Sequence, residues 1–113
     1  MKGNLLGLLG ICRKAGKLKL GFDPAVASLG RDAQLLLFTA DISSKTRLRM
    51  LKKAEGTAVK SLDLSETSDA VYVAIGKRVA VMALTDKGLA ERAAALHSAG
   101  QQKAPNSRDN PTD

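Results

Sequence analysis

Lys17 and Lys19 stand two residues apart in KLKLG, with Gly21 closing the run and Asp23-Pro24 following at once. Side chains two apart in an extended chain share one face, so two cations project together. A glycine lets the backbone come close to a ligand. Asp-Pro is a helix-start signal, with Asp as cap and Pro at the first helical position. The N–H groups of a helix start attract anions. The chemistry that suits this order of residues is the holding of phosphate oxygens. Asp23 works against it, because a capping carboxylate already uses one of those donors. The plain alternative is solvation, since lysines on an edge strand discourage aggregation.

Two more basic groups stand further along. Lys45, Arg49, Lys52 and Lys53 fall at i, i+4, i+7 and i+8, so they project from one side of a helix, with Leu48 and Leu51 turned to the core. Such a stripe is a solvated face or a contact for a polyanion. Lys77-Arg78 lies in a turn flanked by Ile75 and Val79. A turn that pairs apolar and basic residues can pack on an unstacked base and hold its phosphate.

Signals for catalysis are weak. His97 is the only histidine and Cys12 the only cysteine. His97 falls near the end of a helix, where a cation suits the dipole. Cys12 lies on an apolar helical stripe and reads as a small core residue. No Cys/His set exists for zinc, and the glycines form neither a P-loop nor a dinucleotide fingerprint. Asp63, Glu66 and Asp69 recur every three residues, as at a solvated helix start. Asp41 follows an apolar run at the carboxyl end of a strand, which is a ligand-binding edge in open α/β sheets; the competing role is to cap the next helix. No metal and no cofactor is expected.

The surrounding elements follow from periodicity. Leu5, Leu8, Leu9 and Cys12 follow i, i+3, i+4, i+7, which predicts an amphipathic helix over 3–14. Ala15-Gly16 ends it, and 17–20 alternates as a short strand. A short helix from Asp23 closes at Gly30. QLLLFTA (34–40) is a continuous apolar run, suited to a strand buried on both faces. Ser43 or Ser44 caps a helix to about Ala54, and Gly56 stops it. A strand is expected over 57–60, then a helix from Asp63 or Ser65 to about Ala74. VAVMAL (79–84) is a second buried strand. Thr85 or Asp86 caps a last helix through Leu96 to Gly100. The alternation α-β-α-β-α-β-α-β-α implies an α/β/α sandwich. The domain covers 1–100, and 101–113 is polar, rich in Pro and Asn, and expected to be a disordered tail.

Charge separates the chain into halves. Residues 1–60 hold 12 Lys/Arg against 4 Asp/Glu, and residues 61–113 hold 6 against 7, within a net charge of +7 over 113 residues. A basic surface attracts polyanions. Phe22, Phe38 and Tyr72 are the only aromatics, too few for a base-stacking platform. A single cysteine fits a reducing compartment. No segment reaches the roughly 20 apolar residues that cross a bilayer, and the short N-terminal apolar run lacks a cleavage site. The expected location is cytoplasmic, with no membrane partner.

Together, GICRKAGKLKLG, AQLLLFTADIS and AIGKRVAVMALTDKGLAERAAAL resemble the L7Ae/L30e family of ribosomal proteins, nearest to its small bacterial YlxQ-type members. The resemblance runs in order over about residues 3–97. It implies a three-layer α/β/α sandwich with a four-stranded mixed sheet. It also implies binding to structured RNA, typically the bent internal loop called a kink-turn, as ribosomal RNA or another ribonucleoprotein. In the family a Gly-x-Asn-Glu-x-x-Lys motif reads the bases. Here the Gly is Gly21, while Asp23, Pro24 and Ala27 stand at the Asn, Glu and Lys positions. Ionised Asp only accepts hydrogen bonds where Asn also donates, Pro24 has no carboxylate and Ala27 no cation. The preceding family lysines match Lys17 and Lys19, and the loop before the last strand matches Ile75, Gly76, Lys77 and Arg78.

The expectation is a non-catalytic RNA-binding protein, associated with the ribosome or another structured RNA. Lys17, Lys19, Gly21, Phe22 and Asp23 form one side of the site, and Ile75, Lys77 and Arg78 the other. Amides at Gly21-Phe22 hold phosphate, and Phe22 packs on a base or sugar. One rival is a protein-interaction module recruited through the basic helix at 45–53. Another is an enzyme using Asp41 and Asp86.

Overall fold

The computed structural model describes residues 4–106, with side chains through Ser98. Five helices and four strands alternate: α1 (Leu5–Lys14), β1 (Leu18–Leu20), α2 (Phe22–Ser28), β2 (Leu35–Phe38), α3 (Ser44–Ala54), β3 (Lys60–Asp63), α4 (Ser68–Ile75), β4 (Val81–Leu84) and α5 (Lys87–Asn106). The order is the one expected. The helix α5 continues into the segment read as a tail, and residues 107–113 of that segment lie outside the described residues.

The four strands form one mixed sheet in the order β1-β4-β2-β3. β4 is antiparallel to both β1 and β2, and β3 is parallel to β2. Side chains of a strand alternate between faces, and both central strands are apolar throughout, so each feeds two cores. Leu35, Leu37, Met82 and Leu84 pack with α1, α4 and α5 through Leu9, Cys12, Val71 and Ala93. Leu36, Phe38, Val81 and Ala83 pack with α2 and α3 through Ala25 and Met50. This is the expected α/β/α sandwich with a four-stranded mixed sheet.

Three expectations are corrected. The third strand lies at 60–63 and not at 57–60, because Thr57 is used in a turn: its hydroxyl donates to the Ala54 carbonyl at 2.7 Å and accepts from the Val59 amide at 3.2 Å. Pairing with β2, from Leu35↔Lys60 to Phe38↔Asp63, sets the strand instead. The following helix then starts later, capped by Thr67, whose hydroxyl accepts from the Ala70 amide. Finally, Leu48 is 59% exposed, and α3 buries Met50 and Ala54 in its place.

Other caps follow the sequence. Ser43 caps α3 by accepting from the Thr46 amide at 3.1 Å. Asp86 caps α5 by accepting from the Leu89 amide at 2.9 Å. Cys12 is buried, and desolvation followed by the Asp86 charge raises its thiol pKa, which keeps it a protonated core residue.

Asp41 is a cap, but not of α3. It accepts from the Ser68 amide at 2.8 Å and the Ser68 hydroxyl at 2.7 Å, tying the end of β2 to the start of α4. These bonds, the hydroxyl first, lower its pKa from the ordinary 3.8 to about 2. The Thr39 hydroxyl adds a smaller pull but makes no hydrogen bond of normal geometry.

Two outcomes follow for stability. A carboxyl whose pKa is depressed by folding stabilises the fold above its unfolded pKa, and that stabilisation is lost as pH falls through the folded value. Asp41→Ala therefore lowers the thermal midpoint at neutral pH, and the gap to wild type closes between pH 3.8 and about 2. A gap that stays constant over that range contradicts the cap. Leu9→Ala empties a fully buried position and costs about 3 kcal/mol in chemical denaturation.

Candidate nucleic-acid interface

The strand directions bring one set of loops to one end of the sheet. β1, β2 and β3 end there and β4 begins there, as the registers Leu20↔Met82, Phe38↔Val81 and Phe38↔Asp63 require. The start of α2 and the loop at 76–80 therefore meet. The Gly21 amide donates to the Val81 carbonyl at 2.9 Å, and the Thr39 amide to the Ala80 carbonyl at 2.9 Å. Two segments distant in sequence are pinned side by side.

Gly21 makes this junction. Its φ of +98° and ψ of 170° are open only to glycine. It is also the N-cap of α2, with no side-chain cap bond, which corrects the expectation that Asp23 caps and Pro24 opens the helix. The cap moved because the β1 ladder ends at Gly21, so the chain turns there. Pro24 falls in the first turn, where amides have no helical acceptor anyway. The expectation that Gly21 offers its amide to a ligand is also corrected, since that amide is spent on Val81.

The other expected residues divide. Phe22 is half-buried, and Arg49 of α3 lies over its ring, 4.6 Å from the centroid. Asp23 is exposed in the first turn of α2. Lys19 is half-buried and projects to the α2 side of the sheet, since Leu18 and Leu20 face the opposite core. There it lines a shallow depression with Pro24, Ala27, Ser28 and Arg31. Lys17 is not at this end. Its carbonyl accepts from the Thr85 amide at 3.0 Å, at the far end of β1, so about 13 Å of extended chain separates it from Gly21.

On the other side of the junction, Ile75 is 6% exposed and its side chain belongs to the core. Its carbonyl accepts from the Arg13 guanidinium. Gly76 ends α4 in the left-handed conformation, φ +82°. Arg78 pairs with Asp69 and lies over the Tyr72 ring, 5.1 Å from the centroid, so it turns toward α4. Lys77 is exposed and has no ion-pair partner among the described residues.

Arg49 is the residue that the sequence reading left outside the site. Nothing in its spacing announced a contact with Phe22, because the contact crosses from α3 to α2. Arg47, two residues earlier, goes the other way. It makes a two-pronged pair with Asp63 at 2.9 and 2.8 Å, which lowers the Asp63 pKa and raises that of Arg47. The two arginines thus fix α3 between α2 and the β3 edge.

Gly21→Ala tests the junction. Space is open around the added methyl, with Pro24 Cδ nearest at 3.8 Å, so only the backbone conformation resists. The variant is expected to lose about 1–3 kcal/mol of stability in denaturant titration, and an unchanged midpoint would show that the turn relaxes freely.

No family model and no curated protein matches the sequence. Solved structures do match the fold. A Bacillus halodurans protein of unknown function superposes with a TM-score of 0.78 at 23% identity, over 86% of this chain and 99% of that one. The Giardia lamblia 15.5kD RNA binding protein superposes with a TM-score of 0.67 at 18% identity, over 87% of this chain and 85% of that one. At such identities the likeness is one of fold, and this chain has the L30e-like sandwich that its motifs implied.

Proposed function

We propose that this chain is a non-catalytic RNA-binding protein that docks structured RNA at the sheet end where α2 begins. The observation that carries the reading is the hydrogen bond from Gly21 to Val81, which sets the start of α2 beside the start of β4, the strand that the Lys77-Arg78 loop enters. Lys19 and Arg31 extend the cationic surface along α2. The Giardia fold relative, itself an RNA-binding protein, supports the same reading. Asp41 and Asp86 both serve as helix caps, a role that accounts for these two carboxylates without calling on catalysis.

Cations without base-reading partners favour phosphate contacts, which position an RNA without reading its sequence. The RNA class that fits is a bent or looped structure, ribosomal RNA or a kink-turn included, recognised by shape. The setting is cytoplasmic and ribosome-associated. Binding is salt-dependent, because each phosphate contact releases counterions. Lys19→Gln and Lys77→Gln, measured by filter binding to a kink-turn hairpin across a salt series, should each weaken binding and flatten the salt slope by about one contact. Wild-type slopes in both variants would remove this face from consideration.

A second reading, as a protein-interaction module, is favoured by a groove of about 490 Å³ between α1 and α4, with Gly7, Gly10, Ile11 and Ala74 among its lining residues. Ile11 is 60% exposed there. Nuclease treatment separates the readings: partners held by RNA are released, and partners held by this groove are retained.

A further inference from the structure

Five cations and no carboxylate occupy the eleven residues of α3. Like charges meet at i, i+4 in Lys45–Arg49 and Arg49–Lys53, and at i, i+3 in Arg49–Lys52, and each such pair destabilises a helix. Lys45 also sits in the first turn, where the dipole disfavours a cation, and no acidic residue offsets it there. Of the five, only Arg47 has an ion-pair partner among the described residues. Lys52 and Lys53 suit the last turn, but no carboxylate within the helix offsets the repulsions among its cations.

The repelling cations share a direction. Lys45, Arg49 and Lys52 are all exposed and surround Leu48 on the face opposite Met50. From Lys45 to Lys52 the face runs about 10 Å along the helix. At one flank the Arg49 guanidinium rests on Phe22, so the face continues without a break into the start of α2.

We infer that the outer face of α3 is a second RNA-contacting surface, which takes the sugar-phosphate backbone of a stem flanking the segment docked at α2. The inference rests on the RNA-binding reading. Lys45 and Lys52 neutralise phosphates, Arg49 bridges the two surfaces, and Leu48 covers the sugar edge between them. Contacts of this kind are indifferent to sequence and depend on the stem being present.

The test uses two RNA probes with the same kink-turn internal loop, one with long stems and one with stems trimmed to the pairs beside the loop. The Lys45→Gln/Lys52→Gln double variant should bind the long-stem probe about tenfold more weakly at physiological salt, with a slope lower by about two contacts. It should bind the trimmed probe as wild type does. Lys19→Gln should weaken both. Wild-type binding of the long-stem probe by the α3 variant, with Lys19→Gln still impaired, overturns the second surface and leaves the reading standing. Equal losses on both probes also overturn it, by assigning α3 to the docking mouth itself. No effect of either variant on either probe removes the reading and the inference together. The double variant also relieves charge repulsion, so its thermal midpoint should hold or rise. A fall would mark these cations as structural and overturn the inference.

Discussion

β4 is hydrogen-bonded on both sides, and the rest of the molecule is arranged around that fact. Its antiparallel pairing to β1 places the start of β4 beside the end of β1, and its pairing to β2 places the same point beside Phe38. Three chain segments of different origin are thereby fixed within one backbone network, closed by the bonds of Gly21 to Val81 and Thr39 to Ala80. Because Val81–Leu84 is buried on both faces, the strand cannot shift by one residue without turning its whole apolar set the wrong way. The rim inherits its geometry from the core register and not from the loops that display it.

The two helical layers divide the labour. The layer of α1, α4 and α5 holds the larger core and the thiol of Cys12. The layer of α2 and α3 has the smaller core, built on Ala25, Met50 and Phe38, and its α3 carries five cations. Arg47 and Arg49 serve that layer in opposite ways. Arg47 is satisfied by Asp63, while Arg49 lies over an aromatic ring and has no ion-pair partner among the described residues.

Most of the architecture was legible because its signals are local. The apolar runs at 34–40 and 79–84 read as buried strands, and the stripe through Leu5, Leu8, Leu9 and Cys12 read as a helix. What was not legible was decided by neighbours. Lys60–Asp63 is a polar edge strand whose position comes from β2. The cap of α2 falls where the β1 ladder stops, so the Asp-Pro signal was overridden. Leu51 packs against the α3 core as its spacing suggested, but Leu48 is turned to solvent, and Met50 and Ala54 fill the space against the sheet. For the candidate site, shared facing of Lys17 and Lys19 was readable, but an extended strand spreads its residues along a line, so Lys17 lies far from the turn. The Arg49–Phe22 contact had no signal in either segment alone.

Arg78 and Lys77 are adjacent in sequence and unequal in circumstance. Arg78 already has an anion, Asp69, and a ring beneath it. Any phosphate brought to Arg78 would have to displace that carboxylate, so its net gain would be the small difference between two similar partners. Lys77 sheds only water. The two neighbouring cations of this loop thus differ in what a competing anion would have to displace: a carboxylate at Arg78, and no ion-pair partner among the described residues at Lys77.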